Sequence, residues 1–180
     1  MSTPQTVRPA TSRKAAMKRV APASARRGRD AAYTGLDNFV GVISHATPYE
    51  LVELERHGVD GKFLKDLSRR MEIPQRHLFD MIGMPKATAE KKIAAREIIS
   101  GSGGQAAIGM AKLIAKAGEI VSNSTAAQAR DFDVAKWLGK WIEIPQPALG
   151  GRKPSALLDT PTGLDVVLRL MGAIESGAYQ

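Results

Sequence analysis

Helix start and stop signals recur along residues 47–177 at intervals too short for anything but a chain of small helices. Thr47, Pro48 and Glu50 spell a capping box with proline at the first helical position, and Gly58 closes that helix. The next helix spans about 61–71, with Leu64, Leu67 and Met71 as an inner stripe that leaves Lys65, Arg69 and Arg70 outside. Pro74 punctuates a break, and a third helix over about 74–82 turns Leu78, Phe79 and Ile82 inward. Gly83-Met84-Pro85 interrupts before a fourth helix over about 86–100. No segment alternates apolar and polar residues as a strand does, so the fold class expected is all-α.

The run GSGG at 101–104 reads as a hinge-like breaker, and a domain boundary is placed there, dividing residues 31–100 from 101–180. Beyond it, Met110, Leu113, Ile114, Ala117 and Ile120 stripe a helix over about 105–121. Val134, Trp137, Leu138, Trp141 and Ile142 stripe another over about 132–142, with Asp131 as its expected N-cap. Thr160 caps and Pro161 opens the final helix, which turns Leu164, Val167, Leu168, Met171 and Ile174 inward and stops near Gly177.

The charge is divided unevenly. Of 26 Lys and Arg residues, eight (Arg8, Arg13, Lys14, Lys18, Arg19, Arg26, Arg27 and Arg29) precede the first acidic residue, Asp30, so the net charge of +8 sits in a leading arm and the body is neutral. Residues 1–30 have few large apolar side chains with which to offset ordering entropy, and read as a flexible arm. It is either a solvated tail or a phosphate-attracting one, and its Arg-, Ser- and Ala-rich composition also fits a mitochondrial transit peptide. Zero cysteines exclude disulfides, thiolate metal sites and a cysteine nucleophile. No apolar run approaches the roughly 20 residues that span a bilayer, so no membrane partner is expected.

Two short helices flanking the Gly83 turn make a helix-turn-helix candidate. In the second, Thr88, Lys91, Lys92 and Ala95 share a face opposite Ala89 and Ile93. A hydroxyl, two lysines and a small residue suit a helix in a DNA major groove, and equally the solvated face of an ordinary helix. His45, His57 and His77 lack ligand spacing, the GSGG run has neither the preceding strand nor the following lysine-serine pair of a phosphate loop, and the GGRKPS run at 150–155 lacks a helix start with free amide donors, since Pro154 interrupts it. No catalytic residue, metal or cofactor is expected. Trp137 and Trp141 read as core, whereas Tyr179, beside the C-terminus, reads as a residue awaiting a receptor.

The C-terminal run carries a resemblance. Trp137-Leu138, Pro145, Leu149-Gly150-Gly151, Pro154, Leu157-Leu158, Thr160, Gly163 and Gly177 with Tyr179 resemble the toxin-binding domain of Xre/MbcA/ParS-like antitoxins, and residues 60–100 resemble that family's Xre-type helix-turn-helix. Phe79 stands where such motifs usually have alanine, and Lys91-Lys92 where the family tends to have paired arginines. The resemblance implies a bacterial, cytoplasmic type II antitoxin with an N-terminal helix-turn-helix bundle and a C-terminal helical toxin-binding domain. It implies two partners, a RES-domain toxin that consumes NAD or modifies a target with ADP-ribose, and operator DNA through which the shared operon is repressed. A homodimer within a larger toxin-antitoxin complex follows from the two half-sites such a motif binds. On this reading Lys86, Thr88, Lys91, Lys92 and Arg96 contact DNA, and Gly151, Arg152, Lys153, Arg169, Glu175 and Tyr179 face the toxin. A stand-alone helix-turn-helix regulator or nucleoid-associated protein, whose second domain serves dimerisation, is the alternative.

Overall fold

The computed structural model describes residues 33–123 and 132–175 and places eight α-helices there: α1 (Leu36–His45), α2 (Pro48–His57), α3 (Gly61–Arg70), α4 (Gln75–Met81), α5 (Lys86–Ala95), α6 (Gly101–Ser122), α7 (Val134–Trp141) and α8 (Pro161–Glu175). Two 3-10 turns, Pro147–Leu149 and Pro154–Leu157, lie between α7 and α8. Local sequence accounts for most of these boundaries. The Thr47 hydroxyl accepts from the Glu50 amide while the Glu50 carboxylate accepts from the Thr47 amide, the reciprocal capping box that starts α2. Asp60 caps α3 by accepting from the Lys62 amide, and Thr160 caps α8 by accepting from the Gly163 amide at 3.1 Å.

The first half of α6 is buried nearly all round: Ala106, Ala107, Ile108, Met110, Ala111 and Leu113 are all inaccessible or nearly so. Helices α1, α2, α7 and α8 pack on it directly, while α3, α4 and α5 pack on one another beside it around Phe63, Leu64, Leu67, Leu78, Phe79 and Ile93. These buried side chains form one continuous apolar cluster that runs from α1 to α8. Trp137 and Trp141 belong to that packing, stacked at 5.8 Å between ring centroids. Around the start of the described chain, the Tyr33 hydroxyl donates to the buried Asp66 at 2.9 Å, and Arg69 donates to the other oxygen at 2.6 Å. Burial, then the hydrogen bond to Asp66, pushes the Tyr33 phenol well above its usual range.

Several expectations need correction. The GSGG run does not break the chain; it forms the opening turn of α6. Gly103 and Gly104 serve close packing, since a Cβ at Gly104 would collide with the Ile99 carbonyl and one at Gly103 would press on Met84, whereas Gly101 has open space and a left-handed φ of 69°. Helix α5 stops at Ala95, because Arg96 takes a left-handed conformation (φ 54°), and the chain then forms a strand. Here β2 (Ile98–Ile99) pairs antiparallel with β1 (Val59–Asp60), two residues each, too short to show alternation. The N-cap of α7 is Asp133, which accepts from the Lys136 amide at 3.1 Å; Asp131 lies outside the described residues. Ile174 is exposed rather than inward. Helix α1 went unread, since its N-cap is Gly35, with no side-chain cap. The basic arm at 1–30 lies outside the described residues.

The contact between α3 and α7 gives a direct test of this packing. Gly139 lies so close to the end of α3 that a Cβ would collide with the Met71 carbonyl oxygen. Gly139→Ala is expected to destabilise the chain by about 1–3 kcal/mol, the usual cost of overpacking, read from the midpoint of chemical denaturation.

Candidate functional site

The first candidate face is built on the α4–α5 corner. The Gly83 amide donates to the Asp80 carbonyl at 3.1 Å and the Met84 amide to the Phe79 carbonyl at 2.8 Å, closing a tight turn in which Gly83 takes φ 64°. Helix α5 turns Ala89 and Ile93 into the core and leaves Lys86, Ala87, Thr88, Lys91, Ala94, Ala95 and Arg96 exposed. This outer surface mixes three alanines and one hydroxyl with charged side chains, the acid Glu90 among them. Part of its charge is committed within the chain: Lys86 lies 3.6 Å from Glu90, and the half-buried Lys92 donates to the Ile98 carbonyl at 3.2 Å beside Glu97. Lys91 and Arg96 pair with no acid among the described residues.

The second face begins with the loop after α7. The Gln146 amide donates to the Arg152 carbonyl and the Gly151 amide to the Gln146 carbonyl, both at 3.0 Å, so residues 146–152 close on themselves. Gly150 and Gly151 stand in succession at φ 64° and 78°, with open space where a Cβ would lie. Glycine is needed here for backbone conformation, not for room. The result is a preformed protrusion carrying exposed Arg152 at its edge.

Lys153 is anchored by Glu143, which joins three segments. The Lys153 ammonium donates to one Glu143 oxygen at 3.1 Å, and His77 on α4 lies 2.7 Å from the other. Burial alone would raise the Glu143 carboxyl, but hydrogen bonds from His77, Lys153 and Ser155 hold it below the usual carboxylate range. The loop is thereby fixed against α4, on which the Pro154–Leu157 turn also packs.

On α8, Arg169 is exposed and Glu175 accepts from Lys116 on α6 at 2.8 Å and from the Asn123 side chain at 3.2 Å. Among the described residues, no hydrogen bond or ion pair joins the loop cations to Arg169 or Glu175. Tyr179 lies outside the described residues. Glu143, Lys116 and Asn123 escaped the sequence reading because their partners lie 10 to 66 residues away, with no spacing rule to reveal them. Among the described residues, no group of three His, Asp or Glu side chains is arranged to hold a metal ion, and no helix is long and apolar enough to cross a membrane.

A carboxyl held below its ordinary value of 4.5 lends stability that is present above that pH and is lost as pH falls through the lowered folded value. Glu143→Gln is therefore expected to cost about 1 kcal/mol at neutral pH, allowing for partial solvent screening. The difference from the parent chain should shrink as pH falls below 4.5, as measured by denaturation at neutral and at acidic pH.

Two comparisons with known proteins bear on these faces. The Antitoxin Xre/MbcA/ParS C-terminal toxin-binding domain matches residues 131–177, a span that takes in α7, the 146–152 loop and α8. Over 134 residues, 74% of this chain and 83% of the relative, the chain is 34% identical to the curated Prs ADP-ribosylating antitoxin of Sphingobium sp. (strain YBL2).

Proposed function

The chain belongs to the Xre/MbcA/ParS family of antitoxins, and from that premise we propose that it neutralises a RES-domain toxin that consumes NAD or transfers ADP-ribose from it. As a family member it is the antitoxin half of a toxin–antitoxin system. The observation that carries the finer reading is the coincidence of the matched toxin-binding span with the preformed loop at 146–152. A protein plug gains affinity when its contact surface is ordered beforehand, and two successive left-handed glycines order this one. Gly151, Arg152 and Lys153, with Arg169 and Glu175 on α8 and Tyr179 beyond it, form the toxin-facing set. Their cations suit a cleft that accommodates the pyrophosphate of a dinucleotide. The relative's name, which couples an antitoxin to ADP-ribosylation of Prs, supports that chemistry. On this reading the chain inhibits and does not itself catalyse, and it works in the bacterial cytoplasm without a cofactor.

The division of labour places toxin binding in residues 101–180 and DNA binding in 31–100, with the basic arm at 1–30 attracted to phosphates. Helix α5 enters the operator major groove through Lys86, Thr88, Lys91, Lys92 and Arg96, and a homodimer within the toxin–antitoxin complex engages two half-sites. Of these side chains, Lys91 and Arg96 carry the charge least committed to the chain itself.

Co-expression with the neighbouring reading frame tests the inhibitory role: growth arrest and NAD loss caused by that frame alone should be relieved by this chain. Substituting Arg152, Lys153 and Tyr179 together by alanine should weaken the complex by about 100-fold or more, as interface anchors do. Undiminished rescue by the triple variant contradicts the assignment of these residues. On the DNA side, Lys91→Ala should weaken binding to the chain's own promoter duplex and reduce the slope of log affinity against log salt by about one, in a titration over several salt concentrations.

A further inference from the structure

Two of the exposed large apolar side chains, Phe132 (40%) and Ile174 (36%), converge on one groove between α6, α7 and α8. Its volume is about 210 Å³, and the side chains that line it are all apolar. The walls are formed by Ile120 on α6, Phe132 and Trp137 at α7 and Ile174 on α8, over buried Ala117 and Met171. Local sequence explains part of this. Phe132 directly precedes Asp133, the N-cap of α7, and Trp137 is the fourth helical residue. Their rings, 6.0 Å apart, form the hydrophobic staple that fixes how the chain enters the helix. Trp137 also stacks on Trp141 at 5.8 Å, so its indole is held twice. A staple needs no contact with α8, yet Ile174 reaches the same groove from the far end of that helix.

The groove is held open. Glu175, next to Ile174, accepts from Lys116 at 2.8 Å and from the Asn123 side chain at 3.2 Å, which ties the end of α8 to α6 at a fixed spacing. Lys116, Asp133 and Glu175 each stand one residue from a lining side chain. An apolar floor beside polar neighbours is the anatomy of an interface anchor, in which a partner's side chain fills the centre and the rim excludes water. Size selects the occupant. Pockets for drug-sized ligands begin at about 300 Å³, whereas about 150 Å³ takes a benzene ring, so one large apolar side chain fits. Position selects its source: Phe132, Trp137, Met171 and Ile174 all lie within the 131–177 span that matches the toxin-binding domain.

We propose that this groove is an anchor site for the toxin, filled by one bulky apolar side chain of the leucine, methionine or phenylalanine class. The inference rests on the reading above that the matched span captures the toxin. To the charged residues of that reading it adds a separate, uncharged contact and names the chemistry of the partner's group. It also gives Phe132 and Ile174 a role that the packing of the chain on itself leaves without an explanation.

The test measures equilibrium binding of full-length chains to the purified product of the neighbouring reading frame, at low and high salt, together with the melting temperature and oligomeric state of each free chain. Ile174→Ala should weaken binding about tenfold and Ile174→Asp about 100-fold, while Ile174→Val stays within about threefold of the parent. The melting temperature should move by only a few degrees, because Ile174 is partly exposed. For Ile174→Ala the factor lost should be the same at both salt concentrations, since apolar burial is not screened. Phe132→Ser should repeat the loss from a second wall, and Val52→Ser, at an exposed apolar residue outside the matched span, should leave affinity unchanged. Ile174 variants that bind as tightly as the parent, or an Ile174→Ala loss that disappears at high salt, overturn the proposal. So does unchanged affinity with a melting temperature lowered by about ten degrees, which makes the chain itself the occupant, or with a parent dimer turned into a monomer, which makes it a second copy. A parent chain that forms no complex refutes the toxin reading itself. Groove variants that bind like the parent while the Arg152, Lys153 and Tyr179 triple variant does not leave that reading standing.

Discussion

Helix α6 has to be buried on almost every side along its first half, and the other elements are arranged to satisfy that requirement. Its sequence, Gly-Ser-Gly-Gly-Gln-Ala-Ala-Ile-Gly-Met-Ala, combines small residues that admit close neighbours with apolar ones that exclude water. Gly104 lets the helix start against the Ile99 carbonyl, and Gly109 admits Leu164 of α8. Residues 106–111 are buried on every side, and a helical segment of that kind is stable only when enclosed, so α1, α2, α7 and α8 each turn an apolar face toward α6. The α3–α5 group joins the same cluster through Met84, which lies against Gly103, and through the β1–β2 pairing beside the start of α6.

That arrangement sets where the two candidate faces can lie. Helix α5 packs on α3 and α4 and turns its alanine-rich side outward, away from the apolar cluster. The 146–152 loop projects after α7 and is tied back to α4 by Glu143, which accepts from Lys153 while lying beside His77. Polar contacts of this kind add modestly to stability but strongly to orientation, since each fixes a flexible side chain in one geometry. The loop and the last helix thus rest on different supports, α4 for the loop and α6 for the helix end, and both supports are anchored in the same core.

Local chemistry was legible in the sequence wherever a single turn decides the outcome. Thr47 with Glu50, Gly58, Gly83 and Thr160 with Pro161 marked boundaries that depend on residues three or four apart, and those boundaries stand. The GSGG run misled because glycine carries two meanings: it permits turns, and it also admits close neighbours, and only the fold shows that Gly103 and Gly104 serve the second. Helix α1 stayed hidden because its start lacks a side-chain cap, so its position is set by packing on α6. At the candidate faces, residue types that carry charge were visible, but their commitments were not. Lys92, Lys153 and Glu175 are held by Ile98, Glu143 and Lys116, contacts made by the folded chain.

On the proposed reading, one helical body carries a DNA face on α5 and a separate toxin face on the loop and α8. Amide hydrogen exchange of the full chain, measured free, with its own promoter duplex and with the product of the neighbouring reading frame, tests it most directly. DNA is expected to slow exchange across residues 83–97, and the protein partner to slow it across residues 146–153 and the end of α8. Protection of the same segment by both partners, or protection of α5 by the protein partner alone, would contradict it.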